Sequence, residues 1–225
     1  MKALVVSLES FQKGEVPEEV QEYIRSCKTE PFIILDESSK IKTNNPCKDS
    51  KKSKRTQAVL KLNRIGERCI LTGTFMSKSP VNAYDQMNFL KDGFFPESMY
   101  SFAEHYEIRR TLPSVRGARI TITPKDYETI YKRLSRYKND PSSLSGAMDG
   151  IHSFYGISRE DCIHIMNHPE YTPFKHMDEL WRRIGDTCTK VDRKTSTDLP
   201  PKIYKDYDIQ LTKEQLRLYL QLQNQ

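Results

Sequence analysis

Pro31–Lys40 reads PFIILDESSK. Phe32, Ile33, Ile34 and Leu35 form a short apolar run with no polar face, the pattern of a strand covered on both sides in a parallel sheet. Asp36 and Glu37 follow at once, then Ser38 and Ser39. In open α/β sheets ligands bind just beyond the carboxyl ends of the strands. A carboxylate pair there suits Mg²⁺ held through Asp36, with Glu37 polarising the water that attacks a nucleotide's terminal phosphate. The bland alternative is a strand that ends in solvent.

Cys69–Thr74, CILTGT, supplies a second apolar run that ends in a small, hydroxyl-rich turn. An amphipathic helix separates the two runs, as a right-handed βαβ unit requires. Five stretches then follow one another in order: ILDESSK, SKRTQAVLKL, ILTGT, YDQMNFL and LPPKIY. Together they resemble the Swi/Snf-type helicase-like ATPases of superfamily two, in a variant like those of phage and bacterial members. The resemblance implies an α/β fold, a partial RecA-like P-loop NTPase lobe with a parallel sheet and flanking helices, plus a mainly helical insertion. Asp36–Ser39 matches the Walker B box. By that match Asp36 binds Mg²⁺ and Glu37 is catalytic, the pair together contacting ATP. Thr72, Gly73 and Thr74 match motif III, which couples nucleotide state to DNA.

The same resemblance divides the chain into a partial lobe over 1–110, a mainly helical region over 111–198 and a linker towards a second lobe over 199–225. Within the middle region, about 139–171 has no family counterpart and reads as an insertion. Two departures stand out. Phe75 replaces the proline that usually follows Thr-Gly-Thr, which should loosen that turn because proline fixes φ. Ser38-Ser39 replaces the commoner Gly-His. The glycine-rich phosphate loop, Gly-x-x-x-x-Gly-Lys-Ser/Thr, does not occur in the sequence, and no arginine-finger motif is recognisable. The expectation is a metal-and-water half of an ATPase site, inactive alone: a gene fragment, one part of a split gene with a separately encoded remainder of the motor, or a wrongly started reading frame. Without the strand that bears the phosphate loop, a sheet edge and apolar side chains should stand exposed.

Composition sets broad bounds. The chain has 225 residues, a net charge of +6 and a mean hydropathy of −0.70. With 12 Tyr and 9 Phe it can build a sizeable core. No run approaches the roughly 20 apolar residues of a membrane span, and MKALVVSLES is too short for a signal peptide's apolar region; the expected location is cytoplasmic. Five scattered cysteines without Cys-x-x-Cys argue against a disulfide scaffold or a cysteine-based zinc site.

Along the chain, Ala3–Ser7 reads as a further strand and Pro17 opens a helix over Glu18–Cys27. Ser53 caps a helix to about Arg64 that buries Ala58, Leu62 and Ile65. Ser79-Pro80 starts a helix over Val81–Leu90, and Thr123-Pro124 starts one whose Tyr127, Ile130, Tyr131, Leu134 and Tyr137 form an apolar stripe. Asn139–Asp149 reads as a loop. Trp181 reads as a packing anchor beside Leu180 and Ile184, and Thr212 with Gln215 forms a capping box.

The basic run Lys48–Arg55 lies beside the Walker B-like loop. Its candidates for duplex DNA phosphates are Lys51, Lys52, Lys54 and Arg55, where binding would be sequence-independent and salt-sensitive; the bland alternative is a solvated loop. Arg109, Arg110, Arg116 and Arg119 form a second basic cluster with the same two readings. Cys162, His164 and His168 resemble a metal site only superficially, because no fourth ligand has suitable spacing. The rival to the motor reading is a non-catalytic module that binds DNA or a motor partner. A metal-dependent nuclease would need more carboxylates converging on Asp36 and Glu37.

Overall fold

A computed structural model of the protein describes residues 3–41, 52–76, 78–112, 117–189, 191 and 211–223. The PFIIL stretch forms β1 (Phe32–Leu35), paired in parallel with β2 (Glu67–Ile70) in a register from Phe32↔Glu67 to Leu35↔Ile70. Their crossover contains α2 (Lys54–Leu60), whose N-cap Ser53 accepts a hydrogen bond from the Thr56 amide at 3.1 Å. The Thr56 hydroxyl in turn donates to the Ile41 carbonyl at 2.9 Å, joining α2 to the 3-10 helix Ser38–Ile41. The fold is thus mixed α/β, with a small parallel pair at its amino-terminal end.

One face of that pair is packed. Leu35 joins Phe11, Ile41, Ala58, Val59, Leu62 and Phe89 in a core, with Ile33, Ile65 and Ile70 partly buried against it. α1 (Glu18–Ser26) begins after Pro17 and adds Val20 and Ile24 to the same core. The opposite face is open: Phe32 is 60% and Ile34 58% exposed. The expected two-sided cover of β1 is therefore corrected to one side, and the expected exposure of apolar side chains is found there.

Ala3–Ser7 is not a strand. It leads into a 3-10 helix, Leu8–Lys13, started by Ser7, whose side chain accepts from the Glu9 amide. A β-branched run becomes a strand only where a neighbour offers a ladder, and Ala3–Ser7 is given none among the described residues.

α3 (Val81–Leu90) starts where Ser79-Pro80 places it. An aromatic stack then leads into the second half of the unit. Tyr84 meets Phe102 edge-on at 5.3 Å, and Phe102 lies 4.6 Å from both Phe95 and Tyr106. The Arg183 guanidinium sits 4.8 Å over Phe95 and forks onto Glu97 at 2.7 and 3.0 Å.

Beyond α4 (Met99–Tyr106), an antiparallel pair forms from β3 (Arg109–Thr111) and β4 (Arg119–Thr121). α5 (Pro124–Ser135), α6 (Pro141–Tyr155) and α7 (Arg159–Asn167) pack around a second core that includes Ile108, Tyr127, Ile130, Leu134, Ile151 and Ile165. Tyr137, the last member of the stripe on α5, is exposed because the helix has ended.

Asn139–Asp149 is mostly helix, correcting the loop expectation. Asp140 accepts from the amides of Ser142 and Ser143, Pro141 takes the first turn, and Ala147, Met148 and Ile151 are buried at helical spacing. Cap and periodicity outweigh the serines and glycines. In α8 (Met177–Gly185), Leu180 and Ile184 are buried four residues apart, whereas Trp181 is 51% exposed. A helix turns about 100° per residue, so Trp181 stands at the margin of the buried stripe, half exposed, and is not the fully buried anchor expected.

The chain divides into two units, 1–183 and 184–225. In the second, α9 (Lys213–Gln223) begins with the expected capping box. The Gln215 amide donates to Thr212 Oγ1 at 3.3 Å, and Gln215 Oε1 accepts from the Thr212 amide at 3.0 Å. Among the described residues no helix is long and apolar enough to cross a membrane.

Candidate nucleotide site

Parallel pairing brings the two motif-bearing loops side by side. Asp36 follows Leu35 and Leu71 follows Ile70 at the end of the register, and the Leu71 amide donates to the Leu35 carbonyl at 2.9 Å. The Ser38 amide then reaches back to the Leu71 carbonyl at 3.0 Å. Both loops therefore leave the carboxyl ends of their strands in contact.

Asp36 and Glu37 are exposed. Glu37 has φ +51°, uncommon for a residue with a side chain. Its amide donates to Asp36 Oδ1 at 2.8 Å, and its carbonyl accepts from the Lys40 amide at 2.9 Å. Such backbone positions concentrate at functional sites because they cost about 1–3 kcal/mol. On the neighbouring loop, Thr72 Oγ1 accepts from the Thr74 amide at 3.1 Å, a local hydroxyl turn, and nothing crowds Gly73 within 4 Å.

A buried polar contact joins these loops. Gln86, on α3, accepts from the Ser38 hydroxyl at 2.6 Å and donates to the Phe75 carbonyl at 2.9 Å and the Asn82 carbonyl at 2.6 Å. Ser38 and Gln86 are fully buried. Phe75 is thus held through its carbonyl. Sequence reading missed Gln86, yet the signal exists: Asn82, Asp85 and Gln86 cluster at i, i+3 and i+4 on a helix whose other residues are mostly apolar. Buried polar groups on one face need partners.

The basic candidates fare differently. Lys51 lies outside the described residues. The Lys52 ammonium pairs with buried Asp85 at 2.6 Å, so its charge is already matched. Lys54 and Arg55 stand in the first turn of α2, beside the Ser38–Ile41 turn; Lys54 is exposed, and Arg55 Nε is buried without a hydrogen-bond partner among the described residues.

The second basic cluster is neutralised from within. Arg109 is buried and pairs with Glu107 at 3.0 Å and Glu104 at 3.5 Å, Arg119 pairs with Glu104, and Arg110 pairs with Asp126 at 2.8 Å. These three side chains serve the fold, and Arg116 lies outside the described residues.

Asp36 is exposed, and one carboxylate combined with phosphate oxygens and water is an ordinary Mg²⁺ donor set. Among the described residues, no three His, Cys, Asp or Glu side chains converge to hold a metal by themselves. Cys162 is buried, and burial pushes its thiol up to about 12. His164 and His168 stack at 4.1 Å; burial first, and His168 second, hold the His164 imidazole below its ordinary value.

No protein-family model, curated protein or solved structure matches the chain.

Proposed function

We propose that the protein contributes the metal-and-water half of an ATP site in a Swi/Snf-type, superfamily-two DNA motor, and that its first unit contains a partial RecA-like lobe. The observation that carries this reading is the contact between the Asp36–Ser39 and Thr72–Phe75 loops at the carboxyl ends of parallel strands, bridged by Gln86. Asp36 would hold Mg²⁺, which neutralises phosphate charge when bound. Glu37 orients the attacking water, and Thr72, Gly73 and Thr74 sense the result. Lys54 and Arg55 meet duplex DNA phosphates, with Lys51 as a further candidate on the same run; Lys52 is already paired with Asp85. A phosphate cradle from outside this stretch of sequence would complete the site.

The test is Mg²⁺-dependent ATP hydrolysis by the purified chain, with and without duplex DNA, beside Glu37→Gln and a Lys54→Glu/Arg55→Glu double variant. The expected result is no turnover by the chain alone, with salt-sensitive duplex binding retained in Glu37→Gln and weakened about tenfold or more in the double variant. DNA-stimulated turnover that disappears in Glu37→Gln would overturn the incomplete-site reading. Absence of duplex binding would leave the second reading, a non-catalytic partner-binding module, which the open face of β1 favours.

A further inference from the structure

Among the described residues, the open side of β1 combines an unpaired ladder with an exposed apolar face. Pro31 and Leu35 turn their carbonyls towards β2, accepting from the amides of Glu67 at 3.2 Å and Leu71 at 2.9 Å. Successive residues of a strand point their backbone groups to opposite edges, so Phe32 and Ile34 direct theirs away from β2. Among the described residues no backbone hydrogen bond reaches either from that edge. Their side chains share one face, with Glu67 and Cys69 beside them by register and Leu71, half exposed, extending it.

Natural edge strands are blunted by lysine, proline or a covering element; Phe32–Leu35 contains neither residue, and parallel pairs are ordinarily covered on both faces. Carboxylates flank the strand at both ends. Glu30 precedes the strand, Asp36 and Glu37 follow it, Glu67 lies beside Phe32, and all four are exposed. No cation occurs between Glu30 and Glu37.

We infer that the outer edge of β1 is a strand-addition site for an extended segment of another protein, with apolar side chains at alternate positions and Lys or Arg at its ends. Backbone pairing with Phe32 and Ile34 supplies the docking, their side chains receive the apolar positions, and the acidic rim selects basic flanks. The inference stands on edge geometry and charge, independently of nucleotide chemistry at Asp36 and Glu37.

The probe is a short capped peptide alternating valine and threonine between paired lysines, added to the full chain while amide hydrogen exchange is followed at Phe32 and Ile34. A second peptide replaces the lysines with glutamates. The expected result is at least about tenfold slower exchange at both amides with the basic peptide, little change with the acidic one, and loss of the effect in Ile34→Lys. Ile34→Pro provides a second variant, since it removes an outward amide and no bond to β2. Unchanged exchange, equal slowing by both peptides, or protection produced by dimerisation without peptide would each overturn the inference. Wild-type exchange decides the matter even where a variant fails to fold.

Discussion

Gly66 turns the chain into β2 with φ +58°, and a Cβ placed there would lie 1.9 Å from the Pro31 carbonyl oxygen. The same carbonyl accepts the first ladder bond, from the Glu67 amide. Both the backbone angle and the contact therefore require glycine. Gly66→Ala should lower stability by about 2–3 kcal/mol, read as a shift of the urea midpoint at constant slope; an unchanged midpoint would show that the β1–β2 register does not depend on this approach. At the same scale, Gln86 shows how one amide side chain sets loop positions. Its oxygen accepts from the loop after β1 and its nitrogen donates to the turn after β2. Neither loop sequence reveals this contact, because the third partner lies on a helix far along the chain.

Helix starts are the elements the chain encodes most locally. Ser53, Ser98, Thr123, Asp140 and Ser158 each accept an amide of the first turn, and Pro follows at once after Thr123 and Asp140. Four of these starts have a hydroxyl residue at the cap. Asp140 is overlooked when the serines of Pro141–Tyr155 are read as loop, although its cap and the spacing of Ala147, Met148 and Ile151 are visible in the sequence. Thr123 Oγ1 accepts from the Asp126 amide at 3.2 Å and donates to the Asp126 carboxylate at 2.6 Å. Thr123→Ala should cost about 1 kcal/mol, with Thr123→Ser recovering most of it. Thermal unfolding of the two variants checks this, and equal loss in both would assign the effect to the methyl group instead of the cap.

At the scale of the molecule, a buried ion pair fastens the second core. Lys175 Nζ meets Asp161 Oδ1 at 2.6 Å with both side chains nearly inaccessible, and the Lys175 amide donates to the Tyr106 carbonyl at 3.0 Å. The pair joins α7 to the segment that leads into α8. Asp161→Ala strands the ammonium and should cost about 3–5 kcal/mol, whereas Asp161→Leu with Lys175→Met should return most of the stability. Denaturant unfolding of the single and double variants measures the difference. A single variant as stable as wild type would show that Lys175 swings to solvent and that the pair does not hold the core.

By itself the sequence determined the apolar strand at Phe32–Leu35, the helix after it, the second strand and most helix caps, because these depend on residues within one or two turns of each other. It also carried the resemblance on which the nucleotide reading rests. Tertiary structure alone decided which apolar residues are covered. Phe32 and Ile33 are adjacent and equally apolar, yet one faces solvent and the other the core, since alternation assigns them to opposite sheet faces and only one face has helices on it. It likewise decided that Ala3–Ser7 pairs with no strand among the described residues, and that Arg109 and Arg119 meet internal carboxylates. Charge and hydropathy are properties of a residue; the partner that matches them is a property of the packing.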